Sequence, residues 1–302
     1  MSQAYTIDVY NFMGQKVISK KVKNLEEEND IIKSLPTKLY IITIGSTERA
    51  DENIYSSIID YTNGYDNAEI TNKNTLITKY NGERAAVIKK PTENDKYWMI
   101  LDDVQKPNYL IYSIDESGIN LHSKYSGDLN KKDNHGGIKI SKNANMIVSV
   151  DSDASFFEIC RFDPFNGIIY ENKTISSSLL GTTVFSEEFS PNNKFLYVVS
   201  NEVKNGKPIT IMNQFDIIDY YKNNNVTLNN IVREPFVWKV GSKESIQIGP
   251  NDKLYIASPS TNYISSIENP DKEYPACNYV KESVDLKNTE ARNGLPSIMV
   301  DQ

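Results

Sequence analysis

Short apolar segments alternate along the chain with turns rich in Asn, Gly, Pro, Asp and Ser, and helical spacing of apolar residues is nearly absent. Apolar runs bounded by such residues are typical of β-strands. The best helical candidate, residues 25–35, carries many charges and is followed by Pro36, so it predicts one short helix at most. The pattern therefore predicts an all-β protein.

One pattern occurs three times: a strand, a tight polar turn and a strongly apolar strand. The turns begin at Ser141, Ser190 and Gly249, in steps of 49 and 59 residues. Blades of β-propellers recur at about 40–50 residues, so the longer step predicts inserted loop residues at 201–208 and 221–230. A weaker copy spans residues 85–101. We expect a β-propeller of about six or seven four-stranded blades.

The details of the repeat agree with blade geometry. Residues 195–199 form a continuous apolar run, which predicts a strand buried on both faces. In the polar turn that precedes this run, Pro191 fixes its own φ, and an Asn tolerates a positive φ. Two outer strands are expected at 109–114 and 156–162, each ending in a hairpin; Asn166 and Gly167 give the strongest such signal.

The domain organisation predicted from these patterns has two parts. Residues 1–45 form N-terminal strands, either a first blade or a small separate β unit. Residues 46–302 form the propeller, which an apolar C-terminal strand at 295–300 closes by pairing with an N-terminal strand.

Composition narrows the choice of partners. The 302 residues are 39% hydrophobic and 24% charged, as in a soluble globular protein, and the net charge is −7. Such a surface repels phosphate backbones, so we expect no nucleic-acid partner. No apolar run reaches the ~18–20 residues of a membrane span. The N-terminus also lacks the pattern of a signal peptide.

Catalytic and cofactor motifs are not evident. The two histidines, His122 and His135, lie away from any motif-like Ser or Cys, and no Gly-rich phosphate loop follows a strand. The two cysteines, Cys160 and Cys277, are too few for a disulfide framework or a zinc site, and whether they pair is left open. We therefore expect no catalytic residues, no cofactor and no enzyme activity.

A few residues remain as weaker candidates. Asp151 and Asp153 alternate on a loop and are the candidates for a cation site, although calcium needs six or more oxygens. The alternative is that these two aspartates cap an N-terminus or are simply solvated. Asp102 and Asp103 could share a proton, but strand alternation places them on opposite faces. Trp98 fits either a sugar-stacking role or the core.

Four motifs occur in order near the C-terminal end of the chain: residues 245–257, 264–271, 276–279 and 294–296. Together they resemble the closing third of β-propeller modules in surface proteins of gliding bacteria that are exported by type IX secretion. The resemblance covers about residues 53–300. It implies a secreted or cell-surface, non-catalytic binding or adhesion module with a protein or glycan ligand on the propeller face. Residues 7–17 and 34–44 also resemble the sorting domain of that system.

Two other functions stay open at this stage. Residues 189–198 also look like a blade of a propeller lactonase, which would make the protein a hydrolase. The chain could instead be a structural part of a larger assembly such as a virion. The oligomeric state is left open. Three or more carboxylates, or a His, converging at the centre of the propeller would favour the enzyme.

Overall fold

The computed structural model describes residues 5–10, 16–22, 38–44, 53–63, 67–79, 84–91, 96–103, 108–127, 136–151, 156–175, 183–235 and 245–291. The predicted helix at 25–35 and the predicted closing strand at 295–300 lie outside these residues. The chain divides into two compact units, residues 1–42 with 56–75, and residues 43–55 with 76–302. The boundary predicted between residues 45 and 46 stays a prediction.

The strands before residue 80 form two small sheets. In the first, β1 (Tyr5–Tyr10) pairs antiparallel with β2 (Lys16–Val22). In the second, three strands lie in chain order: β3 (Lys38–Ile44), β4 (Ile54–Asp60) and β5 (Glu69–Thr78).

The second unit contains four four-stranded antiparallel sheets, each an up-and-down meander in chain order. Their strands are as follows. The first blade has β6 (Ala85–Lys89), β7 (Tyr97–Asp103), β8 (Asn108–Asp115) and β9 (Gly118–Ser126). The second has β10 (Ile138–Ile140), β11 (Met146–Asp151), β12 (Phe156–Asp163) and β13 (Ile168–Ile175). The third has β14 (Thr183–Phe189), β15 (Phe195–Lys204), β16 (Lys207–Asp216) and β17 (Leu228–Pro235). The fourth has β18 (Ser245–Ile248), β19 (Leu254–Ala257), β20 (Tyr263–Ile267) and β21 (Tyr279–Asp285).

This arrangement confirms the predicted all-β propeller but not its blade count. The described residues form four complete blades, so the expected six or seven was wrong. The count had been extended over the whole chain, although residues before 85 lack the strand–turn–apolar strand repeat. The exposure of β5 fits this correction, because its first eight residues are all exposed, whereas an inner blade strand is buried.

The predicted turns are present, and the first two share one geometry. The backbone N–H of Ser141 donates to Met146, and its Oγ accepts from the N–H of the same residue at 2.9 Å. Ser190 makes the same pair of bonds with Phe195. Three residues after each turn starts, φ is positive, at Ala144, Asn193 and Asp252. A left-handed residue three positions into the turn is therefore common to all three repeats, and a serine closes the first two, whereas Gly249 bonds to Lys253 in the third.

The core lies between neighbouring blades. Three clusters of buried apolar side chains join the first blade to the second, the second to the third, and the third to the fourth. Residues 195–199 are all buried, as the apolar run predicted. Trp98 is also core: it is 3% exposed, and its indole N–H donates to the carbonyl of Pro164 at 2.6 Å.

The extra residues of the long step lie in the two expected segments, but as strand and helix rather than as loops alone. Residues 201–208 belong to the hairpin between β15 and β16. Further extra residues form the helix α1 (Ile217–Asn223), which overlaps the expected segment 221–230. The helix is capped by the side chain of Asp216 and ended by Asn224 in a left-handed conformation. Its Tyr221 hydroxyl donates to the carbonyl of Ile159 in the second blade at 2.9 Å, which anchors the helix across the blade boundary.

Candidate functional site

The site contains an arginine that is buried between the first two blades. Arg84 lies directly before β6 and is fully buried. Its Nε is 3.1 Å from Oδ2 of Asp102, its Nη1 is 3.7 Å from Oδ2 of Asp151, and Nη1 also donates to the carbonyl of Val150. Asp102 accepts a further bond from Ser149 at 3.0 Å. A buried charge needs such partners, so these contacts fix the guanidinium rigidly.

A second group brings together the first strands of three blades. Nζ of Lys139 on β10 is 3.2 Å from Oε2 of Glu188 on β14. The same Nζ donates to Oε1 of Gln247 on β18 at 2.6 Å. Glu188 also accepts from the backbone N–H of Ile248 at 3.2 Å. The three side chains therefore meet near the centre of the blades, and the lysine side chain is 25% exposed.

Glu187 lies beside both groups and differs from them. It is 1% exposed, and neither carboxyl oxygen has a hydrogen-bond partner among the described residues. A Cβ on Gly137 would overlap both oxygens, so glycine leaves the room that this carboxyl occupies. Burial raises the pKa of Glu187 to about 8; the charges of Lys139 and Arg84 lower it, and Glu188 raises it.

We name these residues the central cluster: Arg84, Asp102, Lys139, Asp151, Glu187, Glu188 and Gln247. Four carboxyl groups converge there with two cations, which is the convergence that favours an enzyme over a passive scaffold. A carboxyl whose pKa lies near neutrality can accept and return a proton, and a nearby lysine can stabilise developing negative charge.

The residues singled out in the sequence fall in different places. Asp151 belongs to the central cluster as a partner of Arg84, whereas Asp153 lies outside the described residues. Within the described part of the chain, no group of three or more His, Cys, Asp or Glu residues could hold a metal ion. The Asp151–Asp153 cation site stays a prediction. Asp102 is buried and Asp103 half-buried, as strand alternation predicted.

Both described cysteines and one histidine lie outside the central cluster. Cys160 and Cys277 are buried, and no disulfide joins them. His122 is exposed, and its Nε2 lies 2.8 Å from the carbonyl of Asn166. His135 is not among the described residues.

Sequence reasoning missed the residues that matter most. Lys139, Glu188 and Gln247 each stand two positions before a turn residue of the repeat. A polar residue there, within an otherwise apolar strand, was the available signal. An alignment of the three repeats would have shown that these side chains hold the same position and should lie close together in the fold. Glu187 had a weaker signal, as the second acid in that strand.

The sequence matches no protein-family model and no curated protein. Solved structures share the propeller fold at low identity. A protein from Lactobacillus plantarum is 9% identical, with a TM-score of 0.49 over 95% of this chain and 79% of that one. A candidate 6-phosphogluconolactonase from Bacteroides uniformis is 11% identical, with a TM-score of 0.49 over 93% and 77%. The periplasmic gluconolactonase of Pseudomonas aeruginosa is 9% identical, with a TM-score of 0.46 over 81% and 68%.

The prediction that the chain is not an enzyme rested on the lack of a local catalytic motif and does not stand, because ionisable groups from different blades converge in the central cluster. Non-catalytic binding or adhesion gains no support from these comparisons. The prediction failed because it looked for a histidine beside a nucleophile in one short segment. The ionisable groups of the central cluster come instead from different blades. No helix among the described residues is long and apolar enough to cross a membrane.

Proposed function

We propose that the second unit is a hydrolase that opens a lactone, with Glu187 as its general base. The observation that carries the proposal is the state of that carboxyl group. It is buried, it has no hydrogen-bond partner among the described residues, and its pKa is about 8. Burial disfavours the charged form, so the carboxylate gains a proton readily once a water molecule reaches it.

The reaction needs one base and one cation. The Glu187 carboxylate takes a proton from water while the water oxygen bonds to the lactone carbonyl carbon. The carbonyl oxygen becomes an oxyanion, which the Lys139 ammonium stabilises. The intermediate then collapses, the ring C–O bond breaks, and Glu187 returns its proton to the departing alkoxide. Water and lactone are consumed, and a hydroxy acid is formed.

Two further features support this reaction. Arg84 is held by Asp102, Asp151 and the Val150 carbonyl, so it acts as a fixed positive charge rather than a mobile one. Lys139 has a quarter of its side chain exposed, which gives a substrate access to its ammonium. Residues 189–198, directly after Glu188, carry the sequence likeness to a lactonase blade, and this selects lactones among esters.

The test is a hydrolysis assay by pH-stat on a panel of lactones: glucono-1,5-lactone, galactono-1,4-lactone and an acyl-homoserine lactone. We expect at least one to be opened faster than in buffer, with kcat rising with pH through about 8 as Glu187 loses its proton. Glu187→Gln should lower kcat about 100-fold or more. Glu171→Gln, a half-exposed glutamate outside the cluster, is the control and should keep full activity. Failure on every lactone, or full activity of Glu187→Gln, would overturn the proposal.

The location of the protein forms a separate part of the proposal. The four ordered motifs at 245–296 support a place outside the cell or at its surface. Protease shaving of intact cells, followed by immunoblotting, tests this. Loss of the band from intact cells supports the surface location, and full protection contradicts it.

A further inference from the structure

An open cavity of about 430 Å³ lies among the turns of the first three blades. Its lining combines apolar and amide side chains with one lysine: Pro91, Lys142, Asn143, Pro164, Phe165, Pro191 and Asn193. None of these residues belongs to the central cluster, so the cavity is independent of the proposed hydrolase site. Its volume falls within the ~300–1,000 Å³ typical of small-molecule sites.

One lining residue has an unmet hydrogen-bonding requirement. Asn193 is 8% exposed, and its Oδ1 accepts no hydrogen bond among the described residues. The backbone of Asn193 is fixed in the left-handed region, where its N–H donates to the Ser190 carbonyl at 2.8 Å. A buried acceptor without a donor costs about 1–3 kcal/mol, which a ligand hydroxyl would offset.

A second amide in the lining offers the complementary group. Oδ1 of Asn143 is already used, because it accepts from Ser141 Oγ at 2.9 Å. Its amide nitrogen donates no hydrogen bond to the described residues. The cavity therefore presents an acceptor on Asn193 and a donor on Asn143. A single hydroxyl group both donates and accepts, so one hydroxyl can bond to both amides, and this pair favours a polyhydroxylated ligand.

The apolar part of the lining is preorganised. Phe165 is 66% exposed at the tip of the turn between β12 and β13. Asp163 holds this turn by accepting from the backbone N–H groups of Phe165 and Asn166 at 2.9 and 3.2 Å. An exposed ring held in place offers a flat face on which the C–H groups of a sugar ring can pack.

The charge of the lining excludes an ionic ligand as the main target. Its one cation, Lys142, is engaged with the carboxylate of Asp252 at 2.8 Å. The lining contributes no carboxylate. A neutral ligand therefore matches it best.

From these contacts we infer that the cavity binds a neutral pyranose, with its C–H face on Phe165 and a hydroxyl between Asn143 and Asn193. The site lies on a face of the blades formed by turns, where an exposed glycan end could enter.

The test is a titration of the full chain with methyl glycosides of glucose, galactose, mannose and N-acetylglucosamine, followed by saturation-transfer NMR. We expect at least one glycoside to bind. Phe165→Ala and Asn193→Gly, which keeps the positive φ, should each weaken that binding at least five-fold. Tyr170→Ala is the matched control, because it removes an exposed aromatic ring outside the lining and should leave binding within two-fold.

The binding experiment tests the pyranose site independently of the proposed hydrolase activity. Loss of binding in both cavity variants but not in the control supports the pyranose site. Saturation transfer from none of the four glycosides overturns it, as does unchanged binding in Phe165→Ala. Glu187→Gln should bind the glycoside like the unmodified chain, so this experiment and the lactone assay can fail separately.

Discussion

Nζ of Lys139 lies 3.2 Å from Oε2 of Glu188, and the two residues hold the same repeat position in successive blades. Gln247 holds that position in the fourth blade and accepts from the same ammonium at 2.6 Å. One repeated position thus supplies a cation, an anion and a neutral amide to a single point. The first strand of each of these three blades pairs with the next strand in the same way. The blades differ in the side chain at this position, and that difference sets the charges where the three side chains meet.

Removal of that cation should destabilise the fold. Lys139→Met leaves Glu188, whose side chain is 5% exposed, without its charged partner. We expect a loss of about 1–3 kcal/mol in the free energy of unfolding, measured with urea. Lys142→Met is the control: its ion pair with Asp252 is solvent-exposed, so the loss should stay below about 1 kcal/mol. Equal losses in both variants would show that burial of the Lys139 contact has no energetic consequence.

Stability should fall as the pH rises because of Glu187. Its pKa is about 8 in the folded chain and near 4.5 when unfolded, so between these values the unfolded state releases a proton that the folded state keeps. Stability is therefore lost from about pH 4.5 up to pH 8, by roughly 5 kcal/mol at most. Glu187→Gln should match the unmodified chain at pH 4 and melt at a higher temperature at pH 9. Parallel pH profiles of the two melting temperatures would contradict the raised pKa.

Arg84 should be among the least replaceable residues. Arg84→Met leaves Asp102 and Asp151 buried without their cation, and we expect a loss of about 3–5 kcal/mol by urea unfolding. Arg84→Lys should recover only part, because an ammonium cannot reproduce the forked contacts of the guanidinium. Arg161→Met, at an ion pair about 40% exposed, should cost no more than about 1 kcal/mol. A stable Arg84→Met chain would mean that the two aspartates do not need this partner.

Two glycines with the same backbone geometry should respond differently to alanine. Gly167 has φ +64° and Gly206 has φ +72°, so both substitutions strain the backbone. A Cβ at Gly167 would lie 2.6 Å from the ring of Trp98, whereas nothing lies within 4 Å at Gly206. Gly206→Ala should cost about 1 kcal/mol. Gly167→Ala should cost about 1–3 kcal/mol more, because the indole must shift. Thermal unfolding of both variants checks the difference.

The blades could be predicted from sequence because their signals are local. The turn at Ser190 combines a hydroxyl that closes the turn, a proline that fixes φ and a left-handed Asn193 within four residues. Each of these residues can be identified from the sequence. The hairpin at Asn166 and Gly167 was equally clear. Such features depend on neighbours in sequence, so pattern reasoning identified them correctly.

The central cluster was missed because its contacts join residues far apart. Arg84 meets Asp151 only when two blades pack, and nothing near either residue reveals the other. The blade count failed for a related reason, since the small sheets before residue 80 contain strands without the blade repeat. Whether an apolar strand joins a full blade depends on its neighbours in space rather than on its own pattern.

Lys139 and Gln247 are 108 residues apart, although their side chains share a hydrogen bond. Within a blade, by contrast, each strand pairs with the next, so a blade needs only its own stretch of polypeptide. At about 5–20 residues per second, a ribosome adds Gln247 roughly 5–20 seconds after Lys139. During that interval the earlier blades can fold while the centre lacks its last contributor. The central cluster is therefore complete only after the fourth blade has been synthesised.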